Sequence, residues 1–408
     1  MSQSISISKL SKPLSLEVPL TSSKSESNRA LLINTLGGNN SKLSNLSSAR
    51  DTKTMKKLLE TDHFELDVLD AGTVMRFMTA YLAIGSRERK ITGTPRMCKR
   101  PIKILVDALN ELGANVAYEN ETGYPPLLFK AFESQTKDTL IVPGNISSQY
   151  ISALLMIAPT LPNGLTVQME GEIYSRPYIE MTLNLMGHFG IKSKFEGSSI
   201  KVACQKYQPN NYTIESDWSG ASYWFSMVAL AENAEITLTG LREKSNQGDR
   251  AIVDIMNGLG VKATFVDDGI HLSKSAPKDH LTIDFKSCPD LGQTVFACAA
   301  VKGVSLEMTG LESLRIKESD RTAAMATELA KIGAKLEETK PGTWILTPSN
   351  SLDSVHDVIF DTYDDHRMAM ALAPLATLFD VTIKDPEVVV KSYPEYWDHM
   401  KIAGFKIQ

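Results

Sequence analysis

The sequence predicts an α/β protein of two domains, each holding three copies of one strand–helix–strand–helix–strands unit. Three observations carry this prediction. The chain has 408 residues, 42% of them hydrophobic, which is more than one ordinary core accommodates. An amphipathic helical pattern that stops at a glycine and restarts as a short strand recurs along the chain. A polar cluster that runs into an apolar helix recurs six times.

The amphipathic pattern appears in 105-LVDALNELGANV, 183-LNLMGHFGIKS, 253-VDIMNGLGVKA, 326-ATELAKIGAKL and 397-WDHMKIAGFKI. Its glycines are Gly113, Gly190, Gly260, Gly333 and Gly404, spaced 77, 70, 73 and 71 residues apart. Glycine suits the position just past a helix because it adopts the left-handed conformation without a Cβ clash. A weaker sixth copy, 53-KTMKKLLETDHFEL, lacks the glycine. The polar clusters are 24-KSESNR, 70-DAGT, 147-SSQ, 217-DWSGAS, 290-DLGQT and 364-DDHR. Each opens a helix that is apolar on most faces and therefore belongs inside a core. The break between the two sets of three units falls in the region of residues 205–216.

Composition narrows the function. A net charge of −5 argues against a nucleic-acid partner, which would need a basic face. It leaves anionic small ligands open, since the local field at a site decides those. The N-terminal MSQSISISKL lacks a signal-peptide core, and the longest apolar run, 368–379, is too short to span a bilayer and contains Pro374. Cys98, Cys204, Cys288 and Cys298 form no Cys-x-x-Cys pair, and disulfides are not implied. The expectation is a cytoplasmic protein with no membrane or nucleic-acid partner.

A helix N-terminus carries unpaired N–H groups and about half a positive charge, and attracts anions. Taken singly, each polar cluster reads equally well as an ordinary N-cap. Six of them, with basic residues concentrated in two, favour an anion site shared by the buried helices.

Five stretches carry a family resemblance in order: SKSESNRALL at 23–32, AGTVMRF with PRMCKRPI at 71–102, NISSQYISALLM at 145–156, RIKESDR at 315–321, and DDHRMAM with VVKSYPEYW at 364–397. YSRPYI at 174–179 and CPDLGQT at 288–294 fit between them. The chain resembles the 5-enolpyruvylshikimate-3-phosphate synthase family along essentially its whole length. The resemblance implies the two-domain enolpyruvyl transferase fold, an inverse α/β barrel in which each domain holds three βαβαββ units. It also implies that the first strand joins the C-terminal domain. The domains expected are then 21–215, and 1–20 plus 216–408, with the active site in the cleft between them.

The activity implied belongs to the shikimate pathway of aromatic amino acid and chorismate biosynthesis. It moves the enolpyruvyl group of phosphoenolpyruvate to the 5-hydroxyl of shikimate 3-phosphate, releasing phosphate through a tetrahedral intermediate. The enzyme implied is a monomer with no cofactor and no metal, whose partners are these two substrates. Two anions must be brought together, so several cations are needed. By resemblance, phosphoenolpyruvate falls to Lys24, Gly72, Arg100, Gln149, Arg321, Arg367 and Lys391. Shikimate 3-phosphate falls to Lys24, Ser25, Arg29, Ser147, Ser148, Gln149, Ser175, Asp290, Ser313 and Lys317. Asp290, Glu318 and Lys24 are the candidate proton carriers. Arg76, Arg96 and His366 have a suitable setting but stay outside these sets.

The chain departs from the family pattern at Ser23, Asp70, Phe77 and Ser313. Asp70 would add negative charge beside the phosphoenolpyruvate pocket, which bears on affinity for that substrate and for its mimic glyphosate. The sister transferase acting on UDP-N-acetylglucosamine shares the fold, but it carries a reactive loop cysteine and a Lys-Asn pair. Here Lys24 precedes Ser25, and the neighbours of Cys98 fit the shikimate enzyme. A binding protein that kept the fold without the chemistry would have lost Asp290, Glu318 or Lys24, and all three are present.

Overall fold

The computed structural model describes residues 3–408. The chain forms two compact units. One runs Ser23–Ile214; the other takes the chain up to Ser22 and resumes from Glu215 to Gln408. Each unit has its own hydrophobic core.

In the unit Ser23–Ile214 the helices are α1 (Lys24–Leu36), α2 (Arg50–Leu59), α3 (Gly72–Ala83), α4 (Lys103–Glu111), α5 (Ser148–Ile157) and α6 (Arg176–His188). The other unit holds α7 (Trp218–Leu230), α8 (Ile252–Gly258), α9 (Gly292–Lys302), α10 (Arg321–Ala330), α11 (His366–Leu372) and α12 (Tyr396–Ile402). They alternate in kind. The odd-numbered helices begin at the polar clusters and sink into the cores, α7 with every residue except Ser219 buried. The even-numbered ones bury one face only. The five repeat glycines take φ between +79° and +104°, so each switches the chain out of its helix where a side chain would clash. After α2 the chain leaves through Glu60 in a right-handed conformation instead.

The repeat is clearest around α5 and α6. Strand Thr139–Pro143 pairs in parallel with Leu165–Glu170 across α5, and after α6 the hairpin of Ser193–Glu196 and Ser199–Val202 adds on antiparallel. The same order recurs around α3 and α4, and around α9 and α10. Two sheets borrow strands from the N-terminal segment. Leu14–Pro19 lies parallel to Ala234–Thr239, as the strand preceding α7 should. Ser4–Ile7 runs antiparallel to Val381–Lys384 and closes the sheet around α11. The unit around α1 borrows as well: Tyr212–Thr213 pairs in parallel with Leu43–Ser44.

Candidate active site

In the unit Ser23–Ile214 the candidates gather at the starts of three buried helices. Ser23 caps α1, its Oγ accepting from the Glu26 amide at 3.4 Å. That capping role accounts for the Ser23 departure. Lys24 opens the helix and its Nζ lies 3.3 Å from the buried Asp51. Arg29, one turn on, is buried. It donates from Nε to Thr182 Oγ1 at 2.7 Å, from Nη1 to the Ser25 carbonyl at 2.9 Å and from Nη2 to Ser152 Oγ at 3.2 Å. Its guanidinium packs 5.3 Å from the centre of the Phe77 ring, a role that only an aromatic side chain supplies at that departing position. Burial lowers the Arg29 pKa to about 10, which leaves it charged at neutral pH. Arg29 thus ties α1 to α5 and α6.

The start of α3 has no side-chain cap, since its N-cap residue is Ala71. Arg100 covers this helix end: a Cβ on Gly72 would lie 2.6 Å from Arg100 Nη1. Beside it Gln149, on the first turn of α5, donates from Nε2 to Thr73 Oγ1 at 3.1 Å. Ser147 caps α5 through the Gln149 amide, and Ser148 is buried. Ser175 precedes α6 at φ +54° with no side-chain capping bond, while its carbonyl accepts from the Tyr178 amide at 3.0 Å. Arg76 is buried and structural, donating to the Pro101 carbonyl at 2.9 Å. Arg96 is exposed.

The other unit concentrates charge. Asp217, Asp320 and Asp365 cap α7, α10 and α11, and Asp290 sits in the turn Pro289–Leu291 that leads into α9. Arg321, 2% exposed, spreads over three carboxylates. It donates from Nε to Asp365 at 2.7 Å, from Nη1 to Asp290 at 3.1 Å and from Nη2 to Glu318 at 3.1 Å. Arg367 Nη2 reaches Asp290 at 2.9 Å, and the buried Lys391 lies 3.3 Å from Glu318. Lys317 Nζ is 3.6 Å from Asp290. Burial alone would raise the Asp290 carboxyl, but Arg367, then Lys317 and Arg321, hold it well below the usual carboxylate range. Burial lowers Arg321, yet Asp365, Glu318 and Asp290 leave it raised on balance. His366 is buried with Nδ1 3.5 Å from Asp365. Ser313 lies half-buried in the turn Glu312–Ile316.

Two participants escaped the reading of the sequence. Asp249, buried in the turn Gly248–Ala251, accepts a short hydrogen bond from Ser219, which in turn accepts from Arg367 Nη2 at 3.3 Å. Burial first, and Asp290 second, push the Asp249 carboxyl up to about 6 despite Arg367 and Ser219. Asp365 is the second: it belonged to a recognised cluster, but its grip on Arg321 appears only in three dimensions.

A profile described as EPSP synthase (3-phosphoshikimate 1-carboxyvinyltransferase) matches residues 56–400. A 3-phosphoshikimate 1-carboxyvinyltransferase of Bacteroides fragilis is 45% identical over 394 residues, covering 96% of each chain. Its counterpart in Aliivibrio fischeri is 35% identical, covering 98% of this chain and 99% of its own. Among solved structures, an EPSP synthase from Acinetobacter baumannii superposes with a TM-score of 0.80 over the full length of both chains at 20% identity, which bears on the fold.

Proposed function

The chain belongs to the EPSP synthase (3-phosphoshikimate 1-carboxyvinyltransferase) family, and from that premise we propose how its residues divide the work. The reaction transfers the enolpyruvyl group of phosphoenolpyruvate to the 5-hydroxyl of shikimate 3-phosphate and releases phosphate. Lys24, Gly72, Arg100, Gln149, Arg321, Arg367 and Lys391 take phosphoenolpyruvate. Ser25, Arg29, Ser147, Ser148, Gln149, Ser175, Asp290, Ser313 and Lys317, with Lys24, take shikimate 3-phosphate. Asp290, Glu318 and Lys24 carry protons. The enzyme acts as a cytoplasmic monomer.

One observation carries this reading: Arg321, Arg367 and Lys391 are bonded to the two acids, Asp290 and Glu318, that the chemistry asks to move protons. The cations hold Asp290 ionised until a stronger partner arrives. A substrate phosphate and carboxylate compete for the same guanidinium forks. Once they win, the carboxylates lose their compensating charge inside a buried site and become more basic. Anion binding and base activation are then a single event. The test is phosphate release from phosphoenolpyruvate, which should require shikimate 3-phosphate. Release at the same rate without it would overturn the reading.

A further inference from the structure

Two of the arginines assigned to phosphoenolpyruvate open helices. Arg321 is the first residue of α10 and Arg367 the second of α11. Asp365 serves both. It accepts from Arg321 through both carboxylate oxygens, at 2.7 and 3.2 Å, and from the Arg367 amide at 3.0 Å. The chain reaches Asp365 from strand Val358–Phe360 through a turn that ends in Tyr363 and Asp364, both left-handed at φ +55°. Two successive side chains in that conformation are strained, so neighbouring contacts must hold them there. Those contacts come from α10. Glu328, buried about two turns along the helix from Arg321, accepts from the Asp361 amide at 3.0 Å and from the Tyr363 hydroxyl at 2.8 Å. Lys331 donates to the same carboxylate at 2.6 Å. Burial, then Glu328, push the Tyr363 phenol up to about 12, so it remains a donor throughout the neutral range.

We propose that Tyr363 is a positioning residue for phosphoenolpyruvate: its hydroxyl pins the left-handed turn to Glu328 and so fixes Asp365, on which Arg321 and Arg367 both rest. Helix α10 holds the segment before α11 at two points, through Glu328 to the turn and through Arg321 to the cap. A change at the first point shifts the second. Tyr363 is itself exposed and is not among the residues assigned to either substrate, so it acts through the turn. This inference rests on the assignment of Arg321 and Arg367 to phosphoenolpyruvate.

The experiment compares Y363F, D364G and Y363F/D364G, reading KM for each substrate, kcat and Tm, with R367A as a reference. Y363F removes one hydroxyl and should raise KM for phosphoenolpyruvate roughly 3- to 10-fold, the range of one lost hydrogen bond. KM for shikimate 3-phosphate and Tm should hardly move. Glycine takes a positive φ without strain, so D364G lets the turn keep its shape without the anchor. Y363F/D364G should therefore have a KM for phosphoenolpyruvate within about twofold of D364G. An unchanged KM in Y363F overturns the proposal. So does an equal rise for both substrates, which would mark a general loss of structure. A double variant that exceeds D364G by as much as Y363F exceeds wild type overturns it too, because the hydroxyl would then act apart from the turn. If R367A leaves KM for phosphoenolpyruvate unchanged, the assignment falls and this inference with it. If R367A weakens it and Y363F does not, only the inference falls.

Discussion

With Arg367 at 2.9 Å, Arg321 at 3.1 Å and Lys317 at 3.6 Å, the Asp290 carboxylate is a poor base for as long as those cations stay on it. D290N separates its two possible roles. Asparagine keeps the size of the side chain and still bonds hydroxyls, but it cannot take a proton. The variant should fold and bind shikimate 3-phosphate within a modest factor of wild type, while turnover falls at least about 100-fold. Calorimetry with steady-state rates checks this, and near-normal turnover would pass the role to Glu318 or Lys24. Asp249 makes a prediction with a definite sign. Its folded pKa, about 6, lies above the ordinary carboxyl value of 3.8. Its contribution therefore favours the fold most below pH 3.8 and is lost as pH rises through 6. D249N keeps an oxygen for Ser219 and does not titrate. Its Tm relative to wild type should rise between pH 4 and 7, by the equivalent of up to about 3 kcal/mol, measured by melting across that range. The two acids also mark what the sequence discloses. Asp290 was visible because it opens an apolar helix in a recognisable stretch. Asp249 precedes a short helix with no such pattern, one of 48 acids, and matters only because folding brings Ser219 and Arg367 to it.

The buried helices differ by unit in how they begin. Asp217 and Asp365 cap α7 and α11, whereas serines cap α1 and α5 and no side chain caps α3. The first arrangement supplies acids, and the second leaves the cap positions without a carboxylate. Gly72 tests the second. Its Cβ would meet Arg100 Nη1 at 2.6 Å, too close for both to keep their places, so G72A should push the guanidinium away. We expect KM for phosphoenolpyruvate to rise by about 10-fold or more, the scale of one displaced charge-assisted contact, with α3 still formed because alanine is the better helix residue. Far-ultraviolet dichroism and steady-state kinetics check the two halves. At this scale the sequence was most informative about helices, whose patterns are local. Their amphipathic faces and closing glycines are written in consecutive residues, and Gly113, Gly190, Gly260, Gly333 and Gly404 all adopt the expected left-handed turn. Strand partners were less legible. Nothing in residues 4–19 says that one strand will pair with Ala234–Thr239 and another with Val381–Lys384, because such pairing is settled by long-range burial. The unit around α1 was faint for a related reason: its two paired strands are two residues each, too short to show an alternation.

The chain passes between its units twice, from Ser22 to Ser23 and from Ile214 to Glu215. The two passages run side by side: the Asp217 amide donates to the Thr21 carbonyl at 2.8 Å, and Ser22 bridges Ser216 antiparallel. The proposed function draws on charges from both units. Under the proposed function one pair of substrates must touch Lys24 and Arg100 from one unit, and Lys317, Arg321, Arg367 and Lys391 from the other. Like charges on two bodies resist approach, and a bound phosphate removes that resistance. Shikimate 3-phosphate should therefore lower the radius of gyration in small-angle scattering, and rising salt should weaken the response, because ions screen both the repulsion and the anion. Such closure would also exclude water from the tetrahedral intermediate. A scattering curve unchanged at saturating shikimate 3-phosphate, with binding confirmed by calorimetry in the same buffer, would mean that this substrate binds without bringing the units together. Recruitment of the second set of cations would then fall to phosphoenolpyruvate.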